Sequence, residues 1–193
     1  MTQSPALTSI DIAAHDLRNA IGLMHAGVQL MADAAEPDSA DAAMAADLRR
    51  ADDQLGWFID RVIEAARDEL GRPASDVVIE LSAVLDAAIR RARRHQAGLT
   101  VAISGDTPPG DVCIDPAAAE RLIADSILLV GASGTVDVSC MRDANGWTLQ
   151  MTGVAVNTPL AASLRTLANS SAARWGVTLS DHAMGMTLGF PLA

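Results

Sequence analysis

The first 70 residues carry apolar side chains at alternating intervals of four and three positions. This spacing places all of them along one stripe of an α-helix. The pattern occurs twice, first at Ile10, Ala14, Leu17, Ile21, Met24, Val28 and Met31, and again at Met44, Leu48, Ala51, Leu55, Phe58, Val62 and Ala65. Pro37 separates the two stretches, and Asp38 or Ser39 can cap the helix that follows. We therefore predict two long helices, the second ending at Leu70-Gly71, joined by a short loop as an antiparallel hairpin.

A single hairpin of this kind cannot bury the apolar stripes of both its helices. Two copies can bury them by pairing into a four-helix bundle, so we expect the chain to form a homodimer. The pattern changes at Gly71-Arg72-Pro73, which predicts a boundary between a hairpin domain, residues 1–72, and a second domain, residues 73–193.

The second domain alternates between helical and extended periods, which is typical of an α+β fold. Extended segments are predicted at residues 77–81, 99–104, 112–114, 135–141 and 147–151, with closing strands through Leu192. Asn145-Gly146 is a strong hairpin-turn signal between two of them. Helices are predicted at residues 82–96, 116–130 and 159–175, with Ser82 capping the first and Asp115, before Pro116, capping the second. We expect an α/β sandwich with its helices on one face of the sheet.

Composition and net charge argue against some classes of function. Half of the residues are hydrophobic, enough for a packed core, and the formal net charge is −10. Such a charge argues against a nucleic-acid binder, which needs a basic surface to neutralise phosphates. Neither an export signal nor an apolar run long enough to span a bilayer is visible, so we expect a cytoplasmic protein that does not associate with membranes. Cys113 and Cys140 are too far apart in sequence for a metal knuckle, and we interpret them as buried thiols, with no bound metal.

Side chains capable of nucleophilic chemistry begin at His15, in the stretch HDLRN on the first predicted helix. His15 directly follows the stripe position Ala14, so its imidazole should face water beside the bundle. An exposed neutral imidazole is a nitrogen nucleophile. Asp16, immediately after it, could accept the other ring N–H and so fix the tautomer. The alternative interpretation is a solvated helix face that happens to contain a histidine.

Three further residues on the same flank complete this candidate site. Arg18 and Asn19 could bind phosphoryl oxygens or orient a water molecule. Gly22, about two turns beyond His15, has no side chain, so another surface can approach closely there. Together these residues predict a site for covalent phosphoryl transfer.

The stretch HDLRN resembles the phosphoacceptor box of bacterial sensor histidine kinases. The order of the chain is similar as well, because a helical hairpin precedes a domain ordered like the kinase ATP-binding domain, and the ending GMTLGFPLA is similar to that domain's last strand. The family box usually continues with proline where this chain has Ala20, which indicates a straighter helix beyond the histidine. The resemblance implies a histidine-kinase-like α/β sandwich after the hairpin.

The groups that hold ATP in these kinases have no counterparts in this chain. Asp125, in ERLIADSILLV, stands at roughly the place of the family's asparagine, and Met151, in QMTGVAV, stands where the acidic-glycine box has its aspartate, although Gly153 is kept. The glycine-rich lid has no counterpart before AASLRTLANSS. Since these groups hold magnesium and the phosphates, we predict a degenerate domain that does not bind ATP.

A phosphoacceptor hairpin followed by such a domain resembles the dimeric histidine phosphotransferases of the ChpT type in bacterial phosphorelays. The resemblance implies that His15 takes a phosphoryl group from the aspartate of one response-regulator receiver domain and passes it to another, with magnesium held by the receiver. Two alternatives stay open. Asp16 and Asn19 could instead hydrolyse a receiver's aspartyl phosphate, or the protein could be a non-catalytic pseudokinase that binds and sequesters a regulator.

The remaining histidines carry no predicted chemistry. His25 has no evident partner in sequence, and His182 falls in a predicted loop, so both are interpreted as structural or surface residues. His95 ends a basic segment with Arg90, Arg91, Arg93 and Arg94, which we interpret as a solvated face available to an acidic receiver surface. Trp57 is interpreted as a packing residue.

Overall fold

A computed structural model describes residues 5–70, 77–96, 98–105, 110–142, 144 and 146–192. The chain divides into two compact units, Met1–Arg72 and Pro73–Ala193. Among the described residues, no helix is both long enough and apolar enough to cross a membrane.

The first unit is a hairpin of two 30-residue helices, α1 (Pro5–Ala34) and α2 (Ala40–Glu69). Alanine, the residue that favours helix most strongly, is frequent in both. Of the two N-caps predicted for α2, Ser39 is confirmed, because its Oγ accepts a hydrogen bond from the backbone N–H of Ala42 at 3.1 Å. Asp38 instead occupies the left-handed region at φ 60° and turns the chain between the helices.

Contacts across the hairpin define an antiparallel register. Arg18 pairs with Asp60, His25 with Asp52 and Gln29 with Arg49, and Ile21 lies against Gly56. In each pair the residue numbers add up to 77 or 78. Ala14, Ala45 and Ile63 are buried on the hairpin.

Much of the predicted apolar stripe is exposed in the single chain. Six of its side chains are 40–51% exposed, and we call them the exposed stripe: Leu17, Met24, Met31, Met44, Leu48 and Val62. These residues therefore do not form the core between α1 and α2.

The second unit combines three helices with two sheets among the described residues. The helices are α3 (Leu81–His95), α4 (Pro116–Val130) and α5 (Pro159–Arg174). The strands are β1 (Val77–Glu80), β2 (Thr100–Ser104), β3 (Asp111–Ile114), β4 (Thr135–Arg142), β5 (Gly146–Gly153), β6 (Thr178–His182) and β7 (Gly185–Pro191). Strands β1 and β3 form an antiparallel pair, and the larger sheet has the order β2-β4-β5-β7-β6. Only the β2–β4 pair of that sheet is parallel.

Alternation along the strands explains where the core lies. Every second residue of the central strands is buried: Val136, Val138 and Cys140 on β4, Trp147, Leu149 and Met151 on β5, and Met186, Leu188 and Phe190 on β7. Helix α4 contacts β5 and β7 as well as α3 and α5. The predicted sandwich of helices on a sheet is confirmed.

The structure corrects three details of the sequence prediction. Helix α3 begins at Leu81 after Glu80, and Ser82 does not cap it but donates its hydroxyl to Glu80 Oε1 at 2.6 Å. Cys113 is exposed, because it points outward from the two-stranded sheet, whereas Cys140 is buried and burial raises the pKa of its thiol. His182 ends strand β6 rather than lying in a loop.

The predicted cap of α4 is confirmed. Asp115 Oδ1 accepts the backbone N–H of Ala118 at 2.9 Å, and Pro116 opens the first turn. Thr158 caps α5 in the same way, by accepting the N–H of Ala161 at 3.1 Å.

Candidate functional site

His15 lies on the solvent-exposed side of α1, beside the buried Ala14. The helix continues without a break through Ala20 to Ala34, as expected for a segment that lacks an internal proline. The imidazole Nε2 lies 3.1 Å from Nδ2 of Asn19, one turn further on. The site is therefore built on a regular, uninterrupted part of α1.

The contact with Asn19 determines where the proton of His15 sits. An amide nitrogen can only donate, so the ring nitrogen that it faces accepts. This arrangement puts the lone pair of the neutral ring on Nε2 and the proton on Nδ1. The nitrogen that carries the lone pair thus faces a neighbouring donor that can also bind an incoming oxygen atom.

Asp16 does not play the predicted part in fixing the ring. Among the described residues no hydrogen bond joins it to His15. Consecutive residues of an α-helix point about 100° apart, whereas residues four apart lie one above the other. This geometry explains why Asn19, and not Asp16, contacts the imidazole.

Arg18 is engaged across the hairpin. Its Nε and Nη2 lie 2.9 and 2.8 Å from Oδ1 of Asp60 on α2. Both side chains are partly exposed, so the pair contributes little to stability by itself. Of the residues predicted to bind a phosphoryl group, Arg18 is therefore committed to the partner helix, whereas Asn19 is in contact with His15.

Apolar side chains border the exposed face around His15. Ile12 and Leu23 are 60% and 77% exposed, three residues before His15 and four after Asn19, so they share its face of α1. A side chain added at Gly22 would meet no atom within 4 Å. An exposed histidine bordered by exposed apolar side chains and an open glycine is suited to contact with another protein.

His25 has a partner that sequence inspection missed. Its Nδ1 lies 2.9 Å from Oδ2 of Asp52 on α2, and the carboxylate side chain is only 3% exposed while the imidazole is 51% exposed. The two residues are 27 positions apart, so no local motif reveals them. The pair could have been found only from the antiparallel register of the hairpin. In this register, residues on α1 and α2 whose numbers add up to 77 lie opposite each other.

Two residues that stand where the kinase resemblance expects nucleotide-binding groups are buried in this chain. Met151 is fully buried in the core, and Asp125 is 2% exposed on α4. A Cβ on Gly153 would lie 2.3 Å from the carbonyl oxygen of Val130, so packing against α4 requires glycine there. The retained glycine therefore has a structural explanation that needs no nucleotide.

Backbone hydrogen bonds hold the segment after β5 against the end of α4. The N–H of Val156 donates to Leu129 O at 2.8 Å, and the N–H of Ala132 donates to Val154 O at 2.9 Å. These donors and acceptors are used within the protein. In the part of the chain that the structure describes, no three His, Cys, Asp or Glu side chains are grouped as metal ligands.

The sequence matches no family model and no curated protein. The histidine kinase ThkA, solved in complex with the response regulator protein TrrA, matches with a TM-score of 0.54 and 9% identity over 94% of this chain and 60% of that chain. The Acinetobacter baumannii histidine kinase AdeS matches with a TM-score of 0.51 and 12% identity, over 92% of this chain and 98% of that chain. Full-length ShkA in complex with AMPPNP matches with a TM-score of 0.49 and 14% identity over 96% of this chain. The match covers 46% of the ShkA chain. ThkA and AdeS establish the fold. This chain has a histidine-kinase-like fold.

Proposed function

We propose that the protein is a phosphorelay histidine phosphotransferase that carries a phosphoryl group on His15 between response-regulator receiver domains and does not use ATP. The observation that carries the proposal is the exposed imidazole on the hairpin of a histidine-kinase-like fold, with its Nε2 lone pair 3.1 Å from the Asn19 amide. ThkA, a structure with this fold, was solved with a response regulator, which supports a receiver as the partner class.

The transfer step follows from the position of the lone pair. Nε2 attacks the phosphorus of a receiver aspartyl phosphate, a P–N bond forms, and the P–O bond to the aspartate breaks. The bonding electrons leave with the receiver carboxylate. Asn19 turns its N–H from the ring nitrogen to a phosphoryl oxygen as the phosphoryl group arrives. The reverse step returns the group to another receiver, and the receiver holds the magnesium.

The degenerate second unit supports transfer between receivers rather than from ATP. Met151 and Asp125 are buried, and the segment after Gly153 is hydrogen-bonded to α4. A kinase needs these places for groups that hold magnesium and phosphates. The second unit is proposed to dock receivers and to support the dimer.

The exposed stripe supports a homodimer. Its six apolar side chains are 40–51% exposed and follow the coiled-coil spacing of both helices. Burying the rest of each contributes on the order of 1 kcal/mol. A second hairpin covers them in a four-helix bundle, which is the homodimer that we propose.

Phosphoryl transfer from purified receiver domains, labelled on aspartate by acetyl phosphate, tests this function. We expect acid-labile, base-stable label on the wild-type chain. In His15→Ala the label should be lost from residues 1–24, the part of the chain that contains His15 but not His25. ATP alone should leave the chain unlabelled. Label from ATP alone would contradict the proposed absence of kinase activity.

The same reactions separate the two alternative functions. Release of inorganic phosphate without a labelled intermediate, lost in Asn19→Ala and kept in His15→Ala, would indicate a phosphatase. Asn19 is positioned to orient water as well as a phosphoryl group, which is why this alternative is worth testing. Receiver binding with no phosphate movement would indicate a sequestering scaffold.

A further inference from the structure

We propose that His25 is a second phosphoryl-accepting histidine, which takes the phosphoryl group on Nε2 from donors of the acyl-phosphate or phosphoramidate class. The proposal rests on the proposed function for its physiological donor, the receiver aspartyl phosphate. The site consists of His25, Gln29 and Gly22 on α1 together with Asp52 and Arg49 on α2.

Asp52 prepares the ring of His25 for attack through Nε2. A carboxylate only accepts hydrogen bonds, so Nδ1, 2.9 Å from Oδ2 of Asp52, carries the proton. Nε2 then carries the lone pair, and among the described residues it contacts no hydrogen-bonding group. This is the orientation by a carboxylate that the sequence led us to expect for His15. It occurs ten residues later, on the other histidine of α1.

The buried carboxylate favours the phosphorylated form of His25. Asp52 is 5% exposed, and its Oδ1 is buried without a hydrogen-bond partner in the described structure. A buried carboxylate is stabilised most by a nearby positive charge. Attack by Nε2 makes the imidazole ring formally cationic while Nδ1 keeps its proton beside Asp52. The helix pair therefore gains an ion pair when the phosphoryl group binds.

Groups suited to the phosphoryl oxygens lie one turn away. Gln29, four residues after His25, is hydrogen-bonded by the guanidinium of Arg49 from α2. Both side chains are accessible, and Arg49 can move its N–H groups to a phosphoryl oxygen. A side chain at Gly22 or Gly27 would meet no atom within 4 Å, so the approach to His25 is open on both sides along the helix.

The chemical step balances without an external oxidant or reductant. The Nε2 lone pair forms the P–N bond, and the bond from phosphorus to the donor's leaving oxygen or nitrogen breaks. A receiver carboxylate leaves with its electron pair, and phosphoramidate releases ammonia. His25 is ten residues from His15, which corresponds to about 15 Å along the helix, so each histidine accepts its own phosphoryl group.

Reaction of the full chain with phosphoramidate tests the site directly. We expect mass spectrometry of His15→Ala to find the phosphoryl group on His25, and ³¹P NMR to report the Nε2-linked isomer. His182 is an internal reference, because it is exposed but its Nε2 faces a hydroxyl, that of Thr187 at 2.6 Å, rather than a carboxylate at Nδ1. His25 should be labelled faster than His182.

Asp52→Asn distinguishes an oriented nucleophile from a merely exposed histidine. It keeps the size of the side chain and removes the charge, and we expect the labelling rate of His25 to fall by about tenfold while that of His15 is unchanged. Circular dichroism of the variant establishes that it is folded, and His25→Gln, which keeps a polar side chain, provides the unlabelled control.

In the reaction with phosphoramidate, three outcomes would overturn the inference: labelling of His25 no faster than of His182, an Nδ1-linked product, or an equal rate in Asp52→Asn. Phosphorylated receivers form the second arm. Transfer from receivers to His15 but not to His25 overturns the inference and leaves the proposed function standing. Phosphoramidate labelling of His25 with no transfer from any receiver to either histidine contradicts the proposed function instead.

Discussion

At the scale of single residues, the two histidines of α1 differ in which ring nitrogen is engaged. His15 receives an N–H from Asn19 at Nε2, whereas His25 presents Nδ1 to the carboxylate of Asp52. Both arrangements leave the lone pair on Nε2. The lone pair of His15 is covered by a donor that must move, and that of His25 faces solvent. One neighbour on each ring therefore decides how readily it reacts.

Substitution of Asn19 tests whether the lone pair of His15 is on Nε2. Asn19→Asp replaces the donor by an acceptor, which favours protonated Nε2 and moves the lone pair to Nδ1. We expect phosphorylation of His15 by phosphoramidate to slow by about tenfold, as for the loss of one hydrogen bond of about 1.4 kcal/mol. Asn19→Ala removes the hydrogen bond to the phosphoryl oxygen but leaves the lone pair on Nε2, so we expect it to slow the reaction less than Asn19→Asp does. Equal rates in both variants, or an unchanged tautomer in ¹⁵N NMR spectra, would contradict the assignment.

At the scale of elements, the end of α4 and the end of β5 are fitted closely together. Gly153 lies against the carbonyl of Val130, and the following segment is hydrogen-bonded to the last turn of the helix. A glycine that the kinase family keeps next to its nucleotide thus has a packing role in this chain. The element pair is specified by contact between backbones rather than by a ligand.

Gly153→Ala should therefore destabilise the second unit. The added methyl group would lie 2.3 Å from Val130 O and force the strand or the helix to move. We expect the free energy of unfolding to fall by about 1–3 kcal/mol in urea titrations followed by circular dichroism. Gly27→Ala is the matched control, because a Cβ there meets nothing within 4 Å and Gly→Ala within a helix stabilises by about 0.5–1 kcal/mol. An unfolding midpoint for Gly153→Ala equal to that of the wild type would argue against the close fit.

At the scale of the whole molecule, the hairpin offers two separate apolar surfaces. Leu23 and Met24 are neighbours in sequence, but they point about 100° apart on the helix. Met24 belongs to the exposed stripe, and Leu23 lies on the face of His15 and Asn19. We assign the first surface to the homodimer and the second to the receiver.

Two charge substitutions separate these assignments. Met24→Glu should convert the dimer to a monomer in light-scattering chromatography, because it places a carboxylate in the apolar stripe. Leu23→Glu should leave the dimer intact and weaken transfer from receivers by about tenfold or more, equivalent to about 1.4 kcal/mol of interface energy. A monomeric wild type, or dimer loss in Leu23→Glu alone, would contradict the assignment of the two surfaces.

Local patterns in the sequence were sufficient for the elements of this fold. The four-and-three spacing on α1 and α2 and the caps at Ser39 and Asp115 depend on neighbours within a few residues. Such interactions are encoded where they act, so they can be recognised without coordinates. Asn145, of the predicted hairpin turn, lies outside the described residues. The N-cap of α3 is Glu80, two residues before the predicted Ser82, because a strand leads directly into the helix, and Ser82 then has no cap position to occupy.

The sequence by itself determined the two helices, the α+β domain that follows and the presence of a histidine on an exposed helix face. Tertiary structure alone decided that Arg18 is bound to Asp60 and that His25 has a buried carboxylate partner, Asp52. The physical reason is that periodicity fixes the direction of a side chain on its own helix. The partner on the other helix depends on the register and the closeness of packing, which small residues such as Gly56 set only once the hairpin has formed.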